Sequence, residues 1–360
     1  MTTAQESAPP SPAAQEPYPV LAEVRRGDFL ESVHHGAVVV LDSDGTTVLA
    51  AGPVDAPIYP RSCNKPLQGV GMLRAGLALD GELLALACAS HSGEAFHLAG
   101  VRRILAGAGL TEDALRCTPA LPIGATAQPA HLAAGLGPSR ITMNCSGKHA
   151  AMLATCGAAG WPVQDYLDPD HPLQLALRDA LEDLAGQKSV SVGVDGCGAP
   201  LFALTLTGLA RAFARIATAP AGSHERQVAT AMNAHPEYVG GTGRDVTTLM
   251  RALPGAVAKD GAEGVYALAL PDGSAVALKI ADGGARPLPV VMTAALRHIG
   301  VDVDADPLLN TLTEAPVLGH GRPVGAVRAS ALLAGTAQPR RRPMPSIPQA
   351  GTAPSPSSGR

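Results

Sequence analysis

Aromatic side chains are scarce in this 360-residue chain: one Trp, four Phe and five Tyr, 3% of the total. Its length allows an ample core in one large domain or two modest ones. That core must come from Ala, Val and Leu, within an apolar content of 46% that fits a soluble globular protein. A strong excess of either charge is missing too. The formal net charge of −4 gives no electrostatic reason to expect nucleic acid or an anionic membrane as partner. No apolar run approaches a bilayer span. No basic segment leads into an apolar one at the start of the chain, so no secretory signal is expected and a cytoplasmic location is. Internal repeats are absent. The six cysteines, at 63, 88, 117, 145, 156 and 197, are scattered through a chain too large to need stapling, and they read as reduced thiols.

Between the ends the pattern is mixed. Residues 1–17 are rich in Ala, Pro, Ser and Gln without hydrophobic period, and 337–360, with its PRRRPMPSIP stretch, is similar. Both are expected to be disordered tails around a single folded domain at 18–336. AVVVLDSDGTTVLAAG (37–52) predicts a hairpin about an Asp-Gly turn, and GVYALALPDGSAVALKIADG (264–283) predicts a second. Helical spacing runs through 65–77, 98–108, 148–160 and 171–186, and through TLTGLARAFARIAT. Gly160 stops one of these helices and Pro172 suits the first turn of another. Paired antiparallel strands toward both ends with helices between them predict an α+β fold.

Lysine is the rarest charged residue, 5 against 22 arginines, and its placement is informative. RSCNKPLQ (61–68) sets Lys65 three residues after Ser62, a spacing that puts both on one helix face. An amine there can take the hydroxyl proton; a guanidinium cannot. For an amine to accept that proton near neutrality its ammonium form must be destabilised by roughly 4 kcal/mol, through burial or a second cation. Ser62 could equally cap a helix with Lys65 in solvent. ASHSGE (89–94) places Ser90 in a polar cluster after an apolar run, which fits a turn with a cap as well as a site. MNCSGKHA (143–150) gathers Cys145, Lys148 and His149 at a helix start, and VDGCGAP (194–200) holds Asp195 and Cys197 between glycines. Spacing alone fits buried free thiols at 145 and 197 as well as a metal site. AKDGAEG (258–264) contributes Lys259 and Glu263. Three of the five lysines thus fall in motif-like stretches, which favours the Ser/Lys chemistry.

The ordered set RSCNKPLQ, CASHSGE (88–94), NCSGKH (144–149), YLDPDHPLQ (166–174), DGCGAP (195–200), HPE (235–237) and KDGAE (259–263) resembles the motifs of the rhizobial-type (class 3) L-asparaginases, over roughly residues 19–330. The resemblance implies a serine-β-lactamase/glutaminase-like fold, a homodimer and L-asparagine as substrate. It implies two Ser-Lys tandems, Ser62 with Lys65 and Ser90 with Lys259. It also implies one zinc ion per chain on Cys145, Lys148 and Cys197, in a bracing or substrate-orienting role. Asp195 corresponds to a residue near the substrate α-amino group, and Arg61, His149 and Glu263 match positions lining the same site. After Glu94 this chain has Ala-Phe where many relatives have Pro-Arg, which removes any contact expected from position 96. Cys63, beside Ser62, is expected to point away and be inert.

The implied reaction is amide hydrolysis through an acyl-enzyme, with Ser62 attacking, Lys65 taking its proton, and Ser90 with Lys259 relaying a proton to the leaving ammonia. Glutamine is the nearest rival substrate, because one methylene is discriminated by only about 1–3 kcal/mol. A β-lactamase or transpeptidase would also open on Ser-x-x-Lys but needs a later Ser-x-Asn and a Lys-Thr-Gly strand, and neither stands in a credible position. A non-catalytic zinc-binding or scaffold protein of the same fold is disfavoured by the complete Ser/Lys set.

Overall fold

A computed structural model describes residues 17–334. The expected tails lie outside the described residues, save for Pro17. Ten strands are present among the described residues: β1 (Val20–Arg26), β2 (Phe29–Leu41), β3 (Thr47–Ala51), β4 (Val192–Val194), β5 (Pro200–Phe202), β6 (Val257–Gly261), β7 (Val265–Ala269), β8 (Ala275–Ile280), β9 (Ala315–Gly319) and β10 (Arg322–Ala329). The helices are α1 (Lys65–Arg74), α2 (Gly81–Ala87), α3 (Ala95–Gly107), α4 (Ala127–Ala133), α5 (Ser146–Ala159), α6 (Pro172–Ala185), α7 (Leu206–Thr218), α8 (His224–Ala234), α9 (Pro236–Val239), α10 (Asp245–Ala252), α11 (Leu288–Arg297) and α12 (Pro307–Asn310).

Eight strands form one antiparallel sheet in the order β6-β7-β8-β2-β1-β10-β9, with β3 also on β2. The α+β class is therefore what the chain adopts. Both hairpins form where the Asp-Gly pairs predict them. In the first, Asp42 Oδ1 accepts from the N–H groups of Asp44 and Thr46, each at 3.0 Å, the local side-chain bonding that makes aspartate a turn residue. In the second, β7 and β8 pair across the turn that holds Asp272 and Gly273. The central strands are buried at nearly every position, so both sheet faces are covered there, and α7 and α11 pack on them. Phe213 and Ile216 of α7 are fully buried, each contributing about 1.5–3 kcal/mol.

The helical predictions hold with small shifts of boundary. Gly160 ends α5 and Gly186 ends α6, both left-handed, and Thr205 caps α7 through its hydroxyl. The structure adds six strands that periodicity did not reveal: β1 and β10 pair to join the two ends of the domain, β9 pairs with β10, β6 pairs with β7 at the other edge, and β4 and β5 form a separate pair. Lys259 lies on β6. All six cysteines are buried and unpaired by disulfide. Among the described residues no helix is long and apolar enough to cross a membrane.

Two glycines set how closely the helices that carry the site approach one another. A Cβ on Gly69 of α1 would lie 2.6 Å from Cys88 Sγ, at the end of α2. One on Gly147 of α5 would lie 2.5 Å from the Leu86 carbonyl oxygen of α2. With these hydrogens in place of side chains, α1 and α5 both close on the last turn of α2, and Ser90 follows directly.

Candidate active site

The site lies where a 3-10 turn, Arg61–Asn64, leads into α1 and packs against edge strand β6. In such a turn positions three apart eclipse, so Ser62 and Lys65 share a face as their spacing predicts. Ser62 is half-buried, whereas Lys65 is fully buried. The Lys65 amine donates to the Ala89 carbonyl at 2.5 Å and to Ser90 Oγ at 3.0 Å. Among the described residues it forms no hydrogen bond with Ser62. The bonded amine–hydroxyl pair therefore joins one member of each expected tandem, because the α1–α2 contact at Gly69 carries Ser90 up to Lys65. The Cys63 N–H is committed to the Pro60 carbonyl at 3.0 Å. The Cys63 side chain is turned to β6, its thiol donating to the Lys259 carbonyl at 3.0 Å, and burial pushes that thiol far up.

Lys259 is also 0% exposed. Its amine is not bonded to Ser90; it donates to the carbonyl and to Oδ1 of Asp260, at 2.7 and 2.6 Å. Arg244, capping α10, bonds the other Asp260 oxygen at 2.5 Å. Burial raises the Asp260 carboxyl, but Lys259 and Arg244 outweigh it and hold the group well below the usual carboxylate range. For Lys259, burial lowers the ammonium, Asp260 opposes this, and Lys65 lowers it further.

The second cluster adjoins the first. Cys145, Lys148 and Cys197 are all buried, and Lys148 Nζ lies 3.3 Å from Cys197 Sγ. The Cys197 thiol is lowered, first by Cys145 and then, against burial, by Lys148. Cys145 is raised in turn, first by Cys197. Lys148 is raised because the Cys197 and Cys145 sulfurs outweigh the effect of burial. His149 Nδ1 bonds the Tyr166 hydroxyl at 2.7 Å, while its Nε2 is buried without a partner, and burial lowers the ring against the pull of Cys197.

No cluster of three or more His, Cys, Asp or Glu side chains suited to a metal occurs among the described residues. The expected donor set differs from such clusters in using lysine. Its chemistry fits zinc: in a tetrahedral site a sulfur at about 2.3 Å and a nitrogen at about 2.1 Å stand roughly 3.6 Å apart, close to the Lys148–Cys197 spacing. Loading it would release the protons that Lys148 and Cys145 hold.

Arg61 bridges the clusters. Its Nε donates to Asp195 Oδ1 at 2.9 Å, and its Nη1 lies 3.6 Å from the exposed Glu263. Asp195 Oδ2 is 3.6 Å from Cys197 Sγ. Arg61 and Glu263 are two of the three non-glycine residues with positive φ among the described residues, at 50° and 57°, a conformation that is costly and concentrates at functional sites. Lys65 is thus bonded to Ser90, Arg61 to Asp195, and Lys148 to Cys197, whereas the side chains of Ser62 and Lys259 make no hydrogen bond to another expected site residue among the described residues. Three others did not stand out. Asp260 and Arg244 lacked any spacing signal to tie them together. Gln68, one turn beyond Lys65, is fully buried with both amide atoms unpartnered; only its motif position could have flagged it.

A family model described as L-asparaginase II matches residues 22–329. No curated protein matches the chain. Among solved structures, a β-lactamase from Mycobacterium bovis is similar at 14% identity, with 79% of this chain and 97% of that one covered and a TM-score of 0.42. EstCE1, a hydrolase with promiscuous acyltransferase activity, is similar at 10% identity, covering 78% and 93%, with a TM-score of 0.41. Likeness this distant leaves activity open.

Proposed function

The chain belongs to the L-asparaginase II family, and from that membership we propose that it hydrolyses L-asparagine to L-aspartate and ammonia through a serine acyl-enzyme. The observation that carries this reading is the buried amine of Lys65 bonded to a serine hydroxyl, with a second buried amine, Lys259, in its field. Both amines lie outside bulk water, the setting in which lysine serves as a proton acceptor.

Ser62, the more exposed serine, attacks the side-chain amide carbon, and Lys65 on the same face takes its proton. Ser90, already bonded to Lys65, passes a proton between the amines and the leaving nitrogen. Asp195 and Glu263 meet the substrate ammonium, with Arg61 holding Asp195 in place and balancing its charge, and His149 completes the wall. Cys145, Lys148 and Cys197 would hold a zinc ion, which when bound supplies a fixed positive charge next to Asp195. We further propose a cytoplasmic homodimer as the working form, checked by fractionation and sedimentation.

One observation favours a second assignment, with Ser90 as nucleophile: it is Ser90 whose hydroxyl Lys65 contacts. A coupled ammonia assay with asparagine and glutamine on wild type, Ser62→Ala and Ser90→Ala separates these readings. The first expects ammonia from asparagine in wild type and none in Ser62→Ala, with the trapped adduct on Ser62. An adduct on Ser90, with Ser62→Ala still active, reverses the serines. Faster turnover of glutamine would replace asparagine as the substrate.

A further inference from the structure

The two buried amines of the site have different surroundings. Lys65 donates to a carbonyl and a hydroxyl and touches no carboxylate among the described residues. Lys259 donates to a carboxylate whose second oxygen is already bonded to an arginine. A carboxylate bonded to two cations pulls less on each than on one alone. Asp260 can therefore keep an ammonium beside it without locking its proton in place, provided Arg244 shares the charge.

We propose that Asp260, clamped by Arg244, is a positioning residue that keeps Lys259 protonated and makes it the acid of the reaction, leaving Lys65 alone as the base. This rests on the hydrolytic reading above. In acylation the Ser62 oxygen bonds the amide carbon as Lys65 takes the hydroxyl proton. The C–N bond then breaks as Lys259 gives a proton to the departing nitrogen, which leaves as ammonia. Lys259 is then a neutral amine beside a balanced Asp260–Arg244 pair. In deacylation a water molecule attacks the ester and gives a proton back to Lys259, while Lys65 returns its proton to Ser62.

The other groups around Lys259 are few. Cys63 from the 3-10 turn and Tyr266 from β7 are raised by burial and stay neutral. Cys88 at the end of α2 is pushed up to about 12 by burial and stays neutral as well. Asp245, at the start of α10, is raised by burial and by Asp260. Lys65 on α1 is the remaining cation. Asp260, itself bonded to Arg244, is thus the charged side chain in direct hydrogen-bonded contact with Lys259 among the described residues.

The sign of each change follows. Removing the Asp260 charge lets Lys259 lose its proton at lower pH, and removing Arg244 lets Asp260 hold that proton to higher pH. With five lysines in the chain, 13C-lysine labelling gives a spectrum simple enough to follow each amine, and Lys259→Met identifies the Lys259 signal by its loss. In Asp260→Asn the Lys259 titration should move to lower pH by roughly 1–3 pH units. In Arg244→Gln it should move to higher pH, and Arg244→Lys should restore it. The alkaline limb of the kcat profile should follow in each, with the acid limb fixed. Arg244→Gln keeps the test alive if Asp260→Asn does not fold. Two results would each overturn the proposal: a Lys259 titration that stays put or moves the same way in both variants, or an alkaline limb that ignores it. If the titrations shift as expected but wild type releases no ammonia from either amide, the clamp stands and the hydrolytic reading falls.

Discussion

At the scale of single residues, the site is defined by which positive charges are amines. Arginine dominates the chain, yet Lys65, Lys148 and Lys259 are each no more than 2% exposed, at positions where a removable proton matters. Lys65→Arg keeps the charge and removes the base. Ammonia release should fall by about 10²–10⁴-fold, measured as kcat in the coupled assay; an arginine variant with wild-type turnover would exclude Lys65 as the proton acceptor. Cys197→Ala removes the sulfur that Lys148 faces. Its zinc content, measured by mass spectrometry after zinc-replete growth, should drop from one ion per chain to none. Equal zinc in variant and wild type would move the metal elsewhere.

At the scale of elements, the distances among these side chains are set by helix approach. Gly147 lies in α5 between Ser146 and Lys148, against a backbone carbonyl of α2 that cannot yield cheaply. Gly147→Ala should therefore cost about 1–3 kcal/mol in urea unfolding and lower kcat as well, because α5 carries Cys145 and Lys148 outward. A variant with unchanged stability would show that the contact has slack. The same contacts explain what could be read from the sequence. Hairpins about Asp-Gly and helices with glycine stops were legible because their signals are local. β6 was not, since Lys259 and Asp260 interrupt a short apolar run; β1 and β10 pair with each other from opposite ends of the chain, and β9 is an edge strand held only by β10. The motifs told which residues gather. They could not tell that Lys65 would bond Ser90 rather than Ser62, because that pairing follows from Gly69 letting two helices close.

At the scale of the whole molecule, buried histidines tie stability to pH. His91 donates from Nε2 to Ser146 Oγ at 2.8 Å and accepts the Gly93 N–H at Nδ1. His97 likewise accepts the Glu94 N–H and donates to the Glu237 carbonyl, and the two rings stack at 5.1 Å. Both are lowered, mainly by burial, His91 strongly. Below about pH 6.5 the unfolded chain binds two protons that the folded state refuses, so stability falls as pH drops toward the folded-state values. The steepest slope from this pair is about 2.7 kcal/mol per pH unit. Urea titrations at pH 7.5 and 5.5 should show that loss, and His91→Gln with His97→Gln should flatten it. A pH-independent midpoint over this window would mean the rings take up protons in place.

The seclusion of the working lysines also governs how the protein meets reagents. The Lys188 side chain is 85% exposed, whereas Lys65, Lys148 and Lys259 are shut away from solvent. Among the lysines, an amine-reactive ester or an aldehyde resin would therefore couple first at Lys188, and slowly at the half-buried Lys279. Such tethering leaves the chemistry untouched and nearly fixes the orientation of every immobilised copy.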